Sequence, residues 1–438
     1  MPQTLVSSSQ DLGIALDGGR IAFRPGEVVV GRVYRSTPLL SPAATLTISL
    51  HGRAKAKAVE KKGKKIEYRS RVDLISSGKS LQTLFSGPLH IAVGEAGDAK
   101  QWSFEMRIPA HVDPDAVKSE ALKQGLYSPT GDESISQHAL PASFHVQSLR
   151  NEAFVEYYLE ANLEAQRQES SLSWTARIPI QVHEFRPGPP LTDNQLTIKA
   201  IPFSIRSQRL LPNMEDCQLT ASQKFKKLIN ASSIPALCFE LEVTLPTILQ
   251  IGTKPIPFQF RVVPDMEKSS EVLRGVPQTI TLASMKLELE NLYQVQCRGM
   301  FSNIAAAWTT DTDLMCGRYL FHRSDTYEIP HSEELPIDLG EKVRLQVLNE
   351  RGPSTEENYI TPDIEAPNMR LTHRLKWEIK FEIARETMRA SGSKVVRLLP
   401  PIEEGGEEYA KPPPETDQQD EWIKPPHESD LDDYLLLT

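Results

Sequence analysis

Residues Arg20 to Ser36 read RIAFRPGEVVVGRVYRS, and the local fold is decided there. Ile21 and Phe23 alternate with polar neighbours, Pro25-Gly26 supplies a turn, and Val28, Val29, Val30 and Val33 form a β-branched run. Branched side chains favour extended backbone, and Pro-Gly pre-sets a turn, so the stretch predicts a hairpin of strand, tight turn and strand. Gly31 weakens the second strand, and a glycine there marks a bulge or a close backbone approach.

Working outward, the same period-2 pattern recurs. Leu46, Ile48 and Leu50 alternate with Thr45, Thr47 and Ser49; Trp102, Phe104, Met106 and Ile108 alternate up to Pro109. In Ala153 to Ala165, AFVEYYLEANLEA, only the parity of Val155, Tyr157, Leu159 and Ala161 is consistently apolar, which predicts a strand despite helix-friendly composition. A turn is predicted at Gly87-Pro88, and a short helix over Asp115 to Lys123, started by Asp113-Pro114.

Trp174 to Val182 closes the first series, and the proline-rich HEFRPGPPLTDN from His183 to Asn194 predicts a linker. A second series follows at Leu196–Ile205, Leu237–Leu245, Ile256–Val263, Thr279–Leu289 and Gly317–Phe321, with a further strand at Lys342–Leu348. From Leu371 to Ile383 seven same-parity positions are apolar except His373, which reads as a hydrogen-bonded core or rim histidine. The division is therefore 1–182, a linker at 183–194, 195–390, and an acidic, Pro-rich tail at 391–438 that is too polar to bury a core and is predicted to be disordered.

The opening PGE followed by a valine-rich strand, the W-F-M-IP strand, LPASF leading into the Tyr157-Tyr158 strand, and LEVTLPTILQIGTKPIPFQFRV from Leu241 to Val262 together resemble the arrestin-like family. The type is that of the fungal alpha-arrestins, the arrestin-related trafficking adaptors. The resemblance implies an all-β fold of tandem immunoglobulin-like β-sandwiches. It implies a non-enzymatic adaptor that binds cytoplasmic tails of membrane receptors or transporters and links them to ubiquitination and endocytic machinery. It also implies a cytoplasmic protein recruited peripherally to the plasma membrane or endosomes. A signalling scaffold and a retromer-like sorting subunit share the architecture and are the alternatives. Family members recruit a ubiquitin ligase through PPxY, yet here each proline pair lacks the tyrosine, as in Pro425-Pro426 followed by His427-Glu428.

Charge narrows the function further. The formal net of -9 is concentrated beyond Glu403, where twelve acidic residues face two basic ones, whereas His51 to Arg71 holds nine Lys/Arg against two Glu. This cluster is expected to form an exposed loop, with His51 a loop residue. Its bland reading is a solvated segment. Its functional reading is a contact for acidic tails or anionic lipid headgroups through Arg53, Lys55, Lys57, Lys61, Lys62, Lys64 and Lys65. Asp432, Tyr434, Leu436 and Leu437 fit acidic-dileucine and tyrosine-based sorting patterns of the kind read by clathrin adaptors.

No GxSxG, HExxH or phosphate-loop motif occurs, and the histidines show no metal-ligand spacing, so no catalytic, cofactor or metal site and no nucleic-acid partner is predicted. The leader reads as neither a secretory signal nor a span of the roughly 18 apolar residues that cross a bilayer. Cys217, Cys238, Cys297 and Cys316 are expected to be reduced and buried.

Overall fold

Alternating side chains become strands almost throughout. The structure, a computed structural model, describes residues 3–402 apart from 10, 63, 77, 93–98, 118–138, 168–169, 185–190, 215–233, 253–254, 300–302, 315–326, 331–335 and 343–359. The first half contributes β1 (Gly13–Leu16), β2 (Ala22–Phe23), β3 (Val28–Arg35), β4 (Leu39–Lys62), β5 (Lys64–Asp73), β6 (Leu81–Ile91), β7 (Lys100–Arg107), β8 (Phe144–Gln147), β9 (Glu152–Arg167) and β10 (Ser170–Val182). The second contributes β11 (Leu196–Arg206), β12 (Ala236–Pro246), β13 (Ile248–Gln250), β14 (Gln259–Pro264), β15 (Ile280–Arg298), β16 (Asn303–Asp313), β17 (Tyr327–Glu328), β18 (Ile337–Asp338), β19 (Ile364–Ala366), β20 (Met369–Ile383) and β21 (Glu386–Leu399).

Each half pairs a small sheet with a large one. In the first, β1-β3-β7 faces β2-β10-β9-β4-β5, with β6 added to β4 and β8 to β9. In the second, β11-β12-β14-β18 faces β13-β21-β20-β15-β16, with β17 added to β15 and β19 to β20. Without β11 the two strand orders correspond one to one. Two local sequence series have therefore reached the same non-local pairing, which is the mark of a repeated structural unit. Val29, Val33 and Phe104 meet Leu46, Ile48 and Leu159 in the first core; Phe239, Phe258 and Phe260 meet Leu287, Trp377 and Phe381 in the second.

Several expectations are corrected. Pro25-Gly26 does not close a hairpin: β2 runs parallel to β10, with Val182 opposite Phe23, while β3 pairs with β1 and β7. Phe23 and Val29 are both buried, and crossing between sheets lets them meet from opposite walls of the core. The turn at Leu245–Ile248 makes the same crossing, since β12 joins the small sheet and β13 joins β21. Gly87 lies inside the continuous strand β6, where the register with β4 shifts between Ser41 and Ala44, so it marks an irregularity rather than a turn.

The folded region also continues past residue 390. β21 pairs with β20 from Glu386 to Val396, placing Ser391, Gly392, Ser393 and Lys394 in a sheet rather than in the tail. Lys342 ends a helical turn, Leu339–Lys342, and the rest of the strand expected at Lys342–Leu348 lies outside the described residues. Helix starts at 114 as expected, with Asp113 accepting from Asp115 N at 3.0 Å, and is described as far as 117. Cys297 is buried and Cys238 half-buried, both as free thiols. Cys217, Cys316, the strand at Gly317–Phe321 and everything beyond Ile402 lie outside the described residues, including Asp432, Tyr434, Leu436 and Leu437.

A candidate interaction face on the first large sheet

The lysine cluster is not a loop. β4 is 24 residues long and carries the alternation of Leu46, Ile48 and Leu50 onward into Ala54, Ala56 and Ala58, all buried. His51, Arg53, Lys55 and Lys57 therefore share the opposite, outer face. Small residues suit the inner face because β15 and its neighbours lie directly on it. Val295, Cys297, Ala366 and Met369 of the second half join the core of the first, and Cys297 Sγ lies 3.5 Å from the Ala56 carbonyl. The signal was present as period 2, but alanines between lysines do not look like a buried stripe.

Placement on a sheet also changes the charge. Cross-strand pairing sets Arg53 opposite Glu156 and Lys57 opposite Glu152 on β9. Arg53 Nε donates to Glu156 Oε1 at 2.6 Å, Lys55 Nζ lies 3.2 Å from the same oxygen, and Lys57 Nζ is 3.4 Å from Glu152. Thr4 crosses this face, its N–H donating to Glu156 Oε2 at 2.7 Å and its hydroxyl accepting from Arg53 at 2.8 Å. Arg53 also lies over the Tyr158 ring and Lys55 over Phe154. His51, stacked on Tyr158 and bonded to Ser49, sits in a strand, and burial pushes its pKa down.

Burial alone would raise the Glu156 pKa, but the hydrogen bonds from Thr4 and Arg53 and the charges of Arg53 and Lys55 outweigh it and hold the carboxyl below its ordinary range. Lys55 is lowered by burial and by Arg53, against the pull of Glu156. These inner cations are thus already neutralised. A depressed carboxyl contributes stability that is complete above its unfolded pKa and is lost as pH falls through the folded one. Acid titration of stability should accordingly show a limb below about pH 4.5 that flattens in Glu156→Gln. The same change at the exposed Glu67 should leave the limb in place, and equal limbs in both variants would reject this cause.

The strand that turns its cations outward to solvent is β5. Lys65, Arg69 and Arg71 are exposed, with side-chain exposures of 63%, 60% and 52%, Lys65 and Arg69 beside Glu67 and Arg71 beside Asp73 on the same strand. Pairs this exposed contribute little and are easily exchanged for other anions. For Lys61, Lys62 and Lys64 the backbone register places Lys61 opposite Lys65 and Lys62 opposite Lys64 at the end of the hairpin. Sequence reasoning missed Glu152, Glu156 and Thr4, because their roles arise only when β9 and the leading segment come beside β4.

Two clefts have different chemistry. One of about 600 Å³ is lined by Ile75, Met106, His111 and Asp113, but Lys79 Nζ holds Asp113 at 3.0 Å and Asp115 at 2.8 Å. The other, about 350 Å³, brings Glu184 and Asp363 towards Arg370 and Arg397; burial raises the Glu184 pKa, opposed by Arg397. His373 is buried with Nδ1 2.7 Å from Asp363, consistent with a structural histidine. Among the described residues no group of three or more His, Cys, Asp or Glu could hold a metal ion. No helix among them is long and apolar enough to cross a membrane. Comparison with known proteins finds no matching family model and no matching curated protein.

Proposed function

We propose that the chain is a non-enzymatic adaptor of the arrestin-like type, built to bind acidic cytoplasmic tails of membrane receptors or transporters and to link them to ubiquitination and endocytic trafficking. Its place of action is the cytoplasmic side of the plasma membrane or endosomes. The supporting observation is the row Lys65, Arg69 and Arg71 on β5, exposed cations on a hairpin whose inner face is fixed by the second half. A rigid array of cations recognises an acidic segment without first having to be ordered. The repeated strand order of the two halves also fits a tandem-sandwich adaptor.

Reversing the three charges together, Lys65→Glu with Arg69→Glu and Arg71→Glu, should weaken binding of an acidic tail peptide roughly tenfold or more, and the remaining binding should lose most of its salt dependence. Arg53→Gln should change peptide binding far less, since Arg53 is engaged by Glu156. Titration calorimetry at two ionic strengths separates the cases. Unchanged affinity in the triple variant removes this face from the function.

A further inference from the structure

The turn joining β8 to β9, Ser148 to Asn151, presents an apolar side chain fully to solvent. Leu149 has a relative exposure of 104%, the highest among the large apolar residues described, against 78% for Leu5, the next. Its position is not a loose one. Ser148 N donates to the Asn151 carbonyl at 2.8 Å, and Asn151 N donates to Ser148 Oγ at 2.8 Å. Asn151 Oδ1 in turn accepts from Val59 N at 3.3 Å, which ties the turn to β4 just before the hairpin ends at Lys62 and Lys64. Arg150, exposed, adjoins Leu149.

One end of the large sheet therefore carries a projecting leucine, an arginine beside it and the lysine-rich hairpin end. We infer that this end is a bilayer-contact tip: Leu149 enters the headgroup region of an anionic membrane while Arg150 and the hairpin end lie against its phosphates. The partner follows from shape and charge. A peptide is held in a groove or along a strand edge, whereas a leucine at the summit of a convex turn gains burial only from a soft surface with an apolar interior. Cations near an anionic leaflet add attraction without specific geometry, and the two weak contributions together give reversible binding. The inference stands apart from the adaptor reading, since a protein that bound no acidic tail would still carry this tip.

Co-sedimentation of the full chain with phosphatidylcholine vesicles, and with vesicles containing roughly one-third phosphatidylserine, tests it. Binding is expected to the anionic vesicles only. Leu149→Asp should lower it about tenfold, Arg150→Glu severalfold, and neither should shift the melting temperature, because both side chains are exposed. Leu149→Trp should bind like the parent, and the added tryptophan emission should shift to the blue and be quenched by brominated lipids. The inference is overturned if Leu149→Asp binds as the parent does. It is equally overturned if the tryptophan of Leu149→Trp stays in water on bound vesicles, or if an acidic peptide, and not anionic vesicles, is what the tip retains.

Discussion

Replacing Gly31 with valine is expected to destabilise the protein by about 3 kcal/mol or to prevent folding. Gly31 lies in β3 between Leu16 of β1 and Phe104 of β7, on the face buried in the core. A Cβ there would stand 2.5 Å from the Ala15 carbonyl oxygen and 2.9 Å from Cζ of Phe104. The ring has nowhere to retreat in a filled core, and the oxygen belongs to the neighbouring strand, so relief requires breaking the β1–β3 ladder. Gly31→Ala should cost about 1–2 kcal/mol, and Gly31→Val more, because its second branch meets the same walls. Urea denaturation gives both values; a valine variant within about 0.5 kcal/mol of the parent would show that β1 is free to move away.

The second large effect is expected at Asn368, in the turn between β19 and β20 and wholly buried against the first half. Its Nδ2 donates to the Ala54 carbonyl at 3.1 Å and to Ser70 Oγ at 3.0 Å, while its backbone carbonyl accepts from Gln296 N at 2.9 Å. Ser70 Oγ donates onward to the Gln296 carbonyl at 3.0 Å. Asn368→Ala removes both side-chain bonds and should cost about 2–3 kcal/mol, since their partners stay buried. Asn368→Asp should cost more, because it loses the donor and places a charge in the seam. Both variants should also loosen the coupling of the halves, seen as two thermal transitions or as faster proteolysis between them. One sharp transition in both variants would place the coupling in the apolar contacts around Val295 and Cys297 alone.

The fold was legible wherever one face of a strand is apolar. Leu371 to Ile383 and Ala153 to Ala165 read as strands from parity and are β20 and β9. Legibility failed where burial needs small side chains. Gly392 sits against Trp377, where a Cβ would lie 2.8 Å from the ring, so the polar-looking Ser391-Gly392-Ser393 belongs to a sheet instead of the tail. Ala54, Ala56 and Ala58 hid β4 in the same way, because their neighbours come from the second half.

Of the candidate face, the sequence showed the cations and not their fate. Arg53, Lys55 and Lys57 were conspicuous as a charge run, yet Glu152 and Glu156, about a hundred residues later, neutralise them. Leu149 carried no signal at all: a single leucine in SLRN looks like any turn residue until the turn is seen to leave it bare.

By itself, then, the amino-acid order determined which residues are extended and which side of each strand is apolar, because side-chain alternation is a property of neighbours along the chain. Tertiary structure alone decided that Pro25-Gly26 crosses between sheets, that β20 and β21 pair, and which cations are held by the carboxylates of β9. Each of those depends on strands remote in sequence, and no local period records which partner a strand will meet.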